Sequence, residues 1–341
     1  TNSIALHTAS KIARYPIIKS SMKIFITRQI PEVGITKLKA AGHAVIVAGT
    51  EPLEHADLIA RLKEESPDAV IALLTDKIDA AVFDATPNAK IFANYAVGFD
   101  NIDLKAAKDR GITITNTPEV LTEAVAEHTA ALIMAAGRRL VEADAFLRAG
   151  EYRSWDPLLL LGMEFKGKTL GIVGCGRIGR RLAEIMHHGF GMDIAYFDRK
   201  PDSSLESALG ARYAAEIDEL LSTSDVVSVH LPLTDETRHL FNQERFSKMK
   251  PGSIFVNTAR GAIVDEKALA AALRDGTLSV AALDVFENEP AVDSDLLALK
   301  NVVLTPHIAS ATREARDQMS LVAADNMIAV LDGRPALNPV S

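Results

Sequence analysis

The stretch Leu170-Gly-Ile-Val-Gly-Cys-Gly-Arg-Ile-Gly-Arg180 is the most informative part of this chain for its architecture. It holds Gly174, Gly176 and Gly179 in the spacing GxGxxG, after an apolar run typical of a buried strand and before an amphipathic helical pattern. In that context the first glycine permits a tight turn, the second lets backbone amides approach a pyrophosphate, and the third lets the helix pack closely on the strand. The stretch therefore predicts a dinucleotide-binding unit with the phosphates at the N-terminus of the helix.

The residues around these glycines define the rest of the predicted cofactor site. Arg177 and Ile178 stand between the second and third glycine, and the next predicted strand ends at Asp198, 19 residues after the third. A carboxylate at that place binds ribose hydroxyls and repels a 2′-phosphate, so NAD(H) is favoured as the cofactor. Arg199 and Lys200 could instead meet a phosphate, and NADP(H) therefore stays possible.

Short β-branched runs alternate with helical patterns on both sides of this unit. The strand candidates are residues 23–27, 44–47, 69–73, 90–93 and 112–115 in the first half, and 169–173, 193–197, 225–230, 253–257, 280–284 and 301–305 in the second. Strands separated by helices indicate parallel sheets. The fold class is therefore α/β, with two Rossmann-like or flavodoxin-like parallel-sheet domains.

A helical pattern interrupts this alternation of strands and helices in the middle of the chain, and another follows the last predicted strand. Residues 117–147 read as one long helix, with Pro118 near its start and Gly150 after its end. An irregular stretch follows at 152–162, where Trp155 and four consecutive leucines at 158–161 indicate a subunit contact. A last amphipathic helix is predicted before Gly333.

Composition excludes several classes of protein. The chain has 341 residues, 48% of them hydrophobic and 24% charged, which is enough for about two globular domains and argues against disorder. A formal net charge of -8 argues against nucleic acid as a partner, and no apolar stretch approaches the ~20 residues that a membrane span needs. A lone cysteine, Cys175, excludes a cysteine-cluster metal site and favours a reducing, cytoplasmic location. No metal is expected.

Three polar residues follow strands of the second half, where open parallel sheets bind their ligands. They are Arg260 in Asn257-Thr-Ala-Arg-Gly261, Glu289 in Asp284-Val-Phe-Glu-Asn-Glu-Pro290, and His307 in Leu304-Thr-Pro-His307. Each alone could be an ordinary surface residue. Together, beside a dinucleotide fingerprint, they supply what carbonyl reduction requires: a proton donor, a carboxylate that orients it, and a guanidinium that binds a carboxylate and polarises a carbonyl.

The order GxGxxG, NTARG, DVFENEP and TPHIAS resembles the D-isomer-specific 2-hydroxyacid dehydrogenase family, from Met22 nearly to the C-terminus. The resemblance implies that Arg260, Glu289 and His307 are the catalytic residues, with Arg260 and His307 also touching the substrate. It further implies a substrate loop at 94–103 whose amides at Val97 and Gly98 bind the substrate carboxylate. An ordinary glycine turn is the alternative there, and Gly98 is expected because it permits unusual backbone dihedral angles.

Other contacts are implied only by the same resemblance. It assigns Leu74 to an apolar wall of the substrate pocket, Thr122, Thr258 and Asp284 to the nicotinamide half of the cofactor, and Leu231 and Pro232 to the adenine side.

The resemblance also implies a substrate domain that is discontinuous in sequence. It would combine residues 22–120 with 307–341, around an NAD-binding Rossmann domain at 121–306. Residues 1–21 contain three basic and no acidic residues and are interpreted as a non-native leader, with a targeting segment as the alternative. Two chain crossings would form a hinge, and the long helix with the leucine run would form the arm of a homodimer.

Within the family, the motifs are most similar to the glyoxylate/hydroxypyruvate reductase branch. Phosphite, D-lactate and D-3-phosphoglycerate remain alternative substrates, since the motifs do not exclude them. A remote alternative of a different class is a dinucleotide-dependent corepressor-like scaffold, which shares this fold. Turnover of a 2-oxo acid would separate an enzyme from a scaffold.

Overall fold

The computed structural model describes residues 21–340, and the predicted leader therefore lies outside the described residues except for Ser21. The strands in this part of the chain are β1 Lys23–Ile26, β2 Ala44–Val47, β3 Ala69–Leu73, β4 Ile91–Tyr95, β5 Thr113–Thr115, β6 Thr169–Val173, β7 Asp193–Phe197, β8 Arg212–Tyr213, β9 Val226–Val229, β10 Ser253–Asn257, β11 Leu278–Leu283 and β12 Val302–Leu304. The helices are α1 Glu32–Ala40, α2 His55–Glu65, α3 Ala80–Asp84, α4 Leu104–Asp109, α5 Thr122–Gly137, α6 Leu140–Arg148, α7 Arg177–Phe190, α8 Ser203–Leu209, α9 Ile217–Thr223, α10 Gln243–Ser247, α11 Glu266–Arg274, α12 Ser294–Leu297 and α13 Arg313–Leu331, with a 3₁₀ turn at Gly261–Ile263.

The strands form two parallel sheets, so the predicted fold class of two parallel-sheet α/β domains is confirmed. The first sheet has the order β2-β1-β3-β4-β5, which is the flavodoxin-like order. The second has the order β12-β11-β10-β9-β6-β7-β8. Helices cover both faces of each sheet, and this is why the central strands are nearly continuous buried apolar runs.

Each sheet has a place where the strand order reverses, and ligands of open α/β sheets bind at such places beyond the carboxyl ends of the strands. In the second sheet the reversal lies between β6 and β9. The glycine fingerprint follows β6, and His230 and Leu231 follow β9. In the first sheet it lies between β1 and β3, and Leu74 follows β3.

The last helix packs on the first sheet rather than on the second. Ser320 of α13 donates a hydrogen bond to Pro31 O (2.8 Å) and accepts one from Gly34 N (3.2 Å) at the start of α1. Tyr95 at the end of β4 donates to Arg316 O at 2.6 Å. The C-terminal helix therefore shares its apolar core with the first half of the chain.

The prediction of one long helix over residues 117–147 is wrong. Helix α5 begins at Thr122, after Glu119 in the left-handed region (φ 73°), and ends at Gly137. Arg139 is also left-handed (φ 52°) and separates α5 from α6. A Cβ on Gly137 would lie 2.3 Å from the Phe165 ring, so the end of α5 is packed closely against the segment that precedes β6. The chain turns there into α6, which has no buried residue.

Within residues 21–340, no helix has the length and apolar character that crossing a membrane demands. The stretch at 152–162 is irregular, as predicted, and strongly exposed: the exposed fraction is 78% for Trp155 and 76% for Leu158.

Candidate active site

The glycine loop has the shape that a dinucleotide needs. Gly174 has φ 92°, and a Cβ there would lie 2.8 Å from Leu231 Cδ2. A Cβ on Gly179 would lie 2.4 Å from Gly174 O, so this glycine lets α7 pack on the preceding turn. A Cβ on Gly176 would have no atom within 4 Å, which leaves open space at the N-terminus of α7. The loop therefore fits a pyrophosphate approaching the helix N-terminus.

Asp198 lies next to this loop. One of its carboxylate oxygens accepts a hydrogen bond from Cys175 N (2.8 Å) and the other accepts one from Arg199 N (2.6 Å). These bonds hold the carboxylate at the end of β7, where it can meet a ribose. Burial, with the charges of Asp198 and Asp202, raises the pKa of the Cys175 thiol to about 12. The thiol therefore stays protonated and serves as a packing residue.

The other predicted cofactor residues are distributed around the glycine loop. Arg177 is exposed and pairs with Glu119 at 3.6 Å, whereas Ile178 packs against the core of the first domain. Leu231 is half-buried and Pro232 exposed, both directly after β9. Thr122 begins α5, and Thr258 is buried with its hydroxyl 2.9 Å from that of Thr129. Leu74 is half-buried in the loop after β3.

His307 and Glu289, 18 positions apart, form the central pair of the site. His307 Nδ1 lies 2.8 Å from Glu289 Oε2, and the other Glu289 oxygen accepts a hydrogen bond from Phe286 N at 2.9 Å. The carboxylate is thus fixed by its own loop and fixes the imidazole in turn. With Nδ1 donating to the carboxylate of Glu289, an imidazole in this position has its Nε2 available for proton exchange.

Asp284 holds the loop that carries His307. It is fully buried and accepts hydrogen bonds from the Thr305 hydroxyl (2.6 Å), Ile308 N (2.8 Å) and Ala309 N (2.7 Å). Burial alone would raise the pKa of Asp284, but hydrogen bonds from His128 and these groups outweigh it and keep the pKa low. The carboxylate therefore stays ionised beneath the loop. The nicotinamide contact that the sequence assigned to Asp284 stays a prediction.

Arg260 faces the substrate loop from the other domain. Its Nε donates to Asp100 Oδ1 at 2.9 Å and its Nη1 donates to Ala259 O at 2.8 Å. Its Nη2 lies only 1.7 Å from the place of a Cβ on Gly98. The expected reason for Gly98 is therefore wrong: its φ is not in the left-handed region, and the glycine instead gives room to the guanidinium.

Sequence reasoning missed the residues that support this arginine and its surroundings. Asp100 orients Arg260, and Glu266 at the start of α11 accepts a hydrogen bond from Glu287 N (2.7 Å), beside Glu289. Burial raises the pKa of Glu266, although hydrogen bonds from the Glu287 and Asp293 amides oppose that effect. The sequence contains a signal for Asp100, which is an acid two positions after a glycine of the loop. It contains none for Glu266, because that residue has the pattern of an ordinary acidic residue in the first turn of a helix.

Gly261 couples the Arg260 loop to the Glu289 loop, because a Cβ there would lie 1.8 Å from the backbone carbon of Phe286. We expect Gly261→Ala to lower the free energy of unfolding by about 2 to 3 kcal/mol. The reason is that the Phe286 backbone can make room for a Cβ only if the Glu289 loop moves. Urea denaturation measures this. Gly189→Ala in α7 is the matched control, because a Cβ there meets nothing within 4 Å. Equal stability of the two variants would contradict the coupling.

We expect His230 to lower the stability of the protein in acid. Burial lowers the pKa of its imidazole from 6.5 to about 4. Between those values the unfolded chain binds a proton that the folded chain does not, so stability falls as pH falls from 6.5 towards 4. Going from pH 7 to 5 should cost wild type about 2 kcal/mol more than His230→Gln. Urea titrations at both pH values test this against the exposed-site control His188→Gln, and equal acid losses in all three proteins would contradict it.

Two parallel sheets, a glycine loop that fits a pyrophosphate and a paired histidine and glutamate are together typical of dehydrogenases that use a nicotinamide dinucleotide. A family model described as "D-isomer specific 2-hydroxyacid dehydrogenase, NAD binding domain" matches residues 130–309. The glyoxylate reductase of Aeropyrum pernix is 48% identical over 324 residues, which cover 94% of this chain and 96% of that protein. The chain therefore belongs to the D-isomer specific 2-hydroxyacid dehydrogenase family, as its motifs indicated.

Solved structures agree with this assignment. The TT0316 protein of Thermus thermophilus has a TM-score of 0.88 at 45% identity, covering 94% of this chain and 100% of that one. An NADPH-dependent glyoxylate/hydroxypyruvate reductase of Sinorhizobium meliloti, solved with NADP and malonate, has a TM-score of 0.80 at 34% identity, covering 94% and 97%. The protein is thus an NAD(P)-dependent oxidoreductase, and both NAD(H) and NADP(H) agree with its relatives.

Proposed function

We propose that this enzyme reduces glyoxylate or hydroxypyruvate to the corresponding D-2-hydroxy acid, with NADH as the preferred cofactor. The observation that carries the proposal is the His307–Glu289 pair together with an arginine that lies against Gly98 of the substrate loop. Support for the substrate comes from relatives named glyoxylate reductase that are 46–48% identical over more than nine-tenths of the chain.

In the proposed mechanism, the substrate carboxylate binds between the backbone amides of Val97 and Gly98 and the guanidinium of Arg260. Arg260 is suited to this because Asp100 and Ala259 O take up its Nε and Nη1, and Nη2 stays directed at the loop. The same guanidinium polarises the carbonyl oxygen of the substrate. Leu74 provides an apolar wall that favours a small 2-oxo acid.

The bound cofactor supplies the hydride. As negative charge develops on the carbonyl oxygen, His307 donates a proton from Nε2, and Glu289 stabilises the charged imidazole before transfer. The pyrophosphate would be held by Gly174, Gly176 and Gly179, and the ribose hydroxyls by Asp198. Asp198 is also the reason for the NADH preference, since its carboxylate repels a 2′-phosphate.

A kcat/KM panel tests the proposal, with glyoxylate, hydroxypyruvate and pyruvate assayed against NADH and NADPH, and D-lactate, phosphite and D-3-phosphoglycerate assayed in the oxidative direction against NAD+ and NADP+. We expect glyoxylate or hydroxypyruvate with NADH to give the largest value. A clear advantage of NADPH would overturn the cofactor preference. Turnover of none of these compounds would overturn the enzymatic role and favour a dinucleotide-dependent scaffold.

We also propose the domain division inferred from the sequence, with 22–120 and 307–341 around 121–306. The packing of α13 on α1 supports it. Closure of the two parts about the crossings near residues 120 and 306 would expel water from the site before hydride transfer.

A homodimer is the proposed assembly, and the cytoplasm is the proposed location. Exposed apolar side chains cluster on α6 and the following irregular stretch, including Leu147 (62% exposed), Leu158 (76%) and Leu161 (62%). Apolar surface of this kind is typical of a subunit interface. Light scattering on the purified protein tests this, and the mass of a single chain would contradict it.

A further inference from the structure

The loop after β4 has a regular pattern of hydrogen bonds on its carbonyl side. Ala96 O accepts a hydrogen bond from Thr117 N at 2.9 Å. Val97 O accepts one from Asn116 Nδ2, and Gly98 O accepts one from Asn94 Nδ2, each at 2.8 Å. Three consecutive carbonyl groups are therefore held, two by donors from the segment after β5 and one by a donor at the start of the loop itself.

The amide side of the same peptides has no such partners. In a trans peptide the N–H points opposite to the C=O, so fixing the three carbonyls also fixes the N–H groups of Val97, Gly98 and Phe99. Within residues 21–340, none of these three N–H groups donates a hydrogen bond to another protein group. Val97 and Gly98 are half-buried, where an unpaired amide is costly unless a ligand or water accepts from it.

The guanidinium of Arg260 completes this surface, because its Nη2 lies against Gly98. Fixed amides and an arginine next to each other form a concave site for a carboxylate. Asn94 is fully buried and also exchanges hydrogen bonds with the side chain of Asn101 (3.2 and 3.4 Å). Its amide group therefore also maintains the internal structure of the loop. Asn116 is half-buried and lies between β5 and α5, outside the loop that it supports.

We propose that Asn116 is a positioning residue for the substrate carboxylate, and that it acts by holding the Val97 carbonyl so that the Gly98 N–H is presented to the substrate. This inference rests on the proposed function. The Nδ2 of Asn116 donates to Val97 O, so in this role Asn116 holds the loop backbone and does not bind the substrate itself. Its loss should therefore weaken carboxylate binding and leave the hydride and proton transfers nearly unchanged once the substrate is bound.

The test is Asn116→Leu, which keeps the approximate shape and the charge but removes the donor. We expect KM for glyoxylate and the inhibition constant of oxalate each to rise about five- to tenfold, with kcat within twofold of wild type. The dissociation constant of NADH, measured by fluorescence titration, should not change. Asn88→Leu is the matched control, because Asn88 is exposed and bonds only Ser66 among the described residues.

If the leucine variant does not fold, Asn116→Ser replaces it, because the serine hydroxyl is too short to reach Val97. The same rises in KM and in the oxalate inhibition constant are expected. Unchanged KM and oxalate inhibition in the folded variant, with normal wild-type turnover, would overturn the role of Asn116 and leave the proposed function intact. An equal fall in kcat and NADH affinity would also overturn it, since that pattern indicates general structural damage. Absence of wild-type turnover with every 2-oxo acid would overturn the proposed function and this inference together.

Discussion

His307→Ala should lower kcat for glyoxylate reduction by roughly 10²- to 10⁴-fold, the range expected when a general acid is lost. The imidazole is held at 2.8 Å by Glu289, and no other titratable side chain is bonded to that carboxylate in the described part of the chain. Water would have to supply the proton in the variant, without the orientation that the Glu289 pair provides. The effect should appear in kcat rather than in cofactor binding.

Steady-state kinetics with saturating NADH measures the change, and fluorescence titration of NADH checks that the cofactor site is intact. His188→Ala is the matched control, because His188 is an exposed histidine in α7 outside the site. Activity of His307→Ala within tenfold of wild type would show that another group donates the proton.

Much of the fold was predictable because buried parallel strands leave a strong local signal. Residues 44–47, 69–73, 169–173, 193–197 and 253–257 were predicted as strands with the bounds that the structure has. Each is a short run rich in apolar or β-branched residues, and the strands at 69–73, 169–173 and 253–257 are almost entirely buried because helices cover both faces of their sheets.

Two features escaped prediction because their causes are tertiary. The helical pattern continues across Arg138 and Arg139, whereas the chain turns there, where Gly137 packs against Phe165 and Arg139 is left-handed. Strand β8, Arg212–Tyr213, has two residues at the edge of the second sheet and pairs only with β7. A run of that length has no periodicity that distinguishes it from a loop.

The residues of the candidate site likewise include some that the sequence could predict and some that it could not. Arg260, Glu289 and His307 were predictable because each follows a strand of one sheet, so that the topology alone brings them to one edge. Asp100 and Asn116 were not, since each acts through a hydrogen bond across a long sequence separation, 160 positions from Asp100 to Arg260 and 19 from Asn116 to Val97. Such a bond depends on how loops pack, which the pattern of residue types does not record.

Arg260→Lys should lower kcat/KM for glyoxylate by about 10²-fold, with a rise in KM that His307→Ala does not show. The guanidinium uses its donors in three directions: Nε towards Asp100, Nη1 towards Ala259 O, and Nη2 beside Gly98. An ammonium group offers a single charged centre at the end of a flexible chain. An ammonium group that pairs with Asp100 cannot also bind the substrate carboxylate through two parallel hydrogen bonds and polarise the carbonyl oxygen, as a guanidinium can.

Steady-state kinetics over a range of glyoxylate concentrations measures kcat and KM separately. The inhibition constant of oxalate measures carboxylate binding without turnover. Arg110→Lys is the matched control, because Arg110 also pairs through Nε with an aspartate, Asp84, at 2.8 Å. A kcat/KM within threefold of wild type would mean that positive charge alone suffices and that the paired geometry at Asp100 has no catalytic use. A loss confined to kcat would instead assign Arg260 to carbonyl polarisation and leave the substrate carboxylate to the amides of Val97 and Gly98.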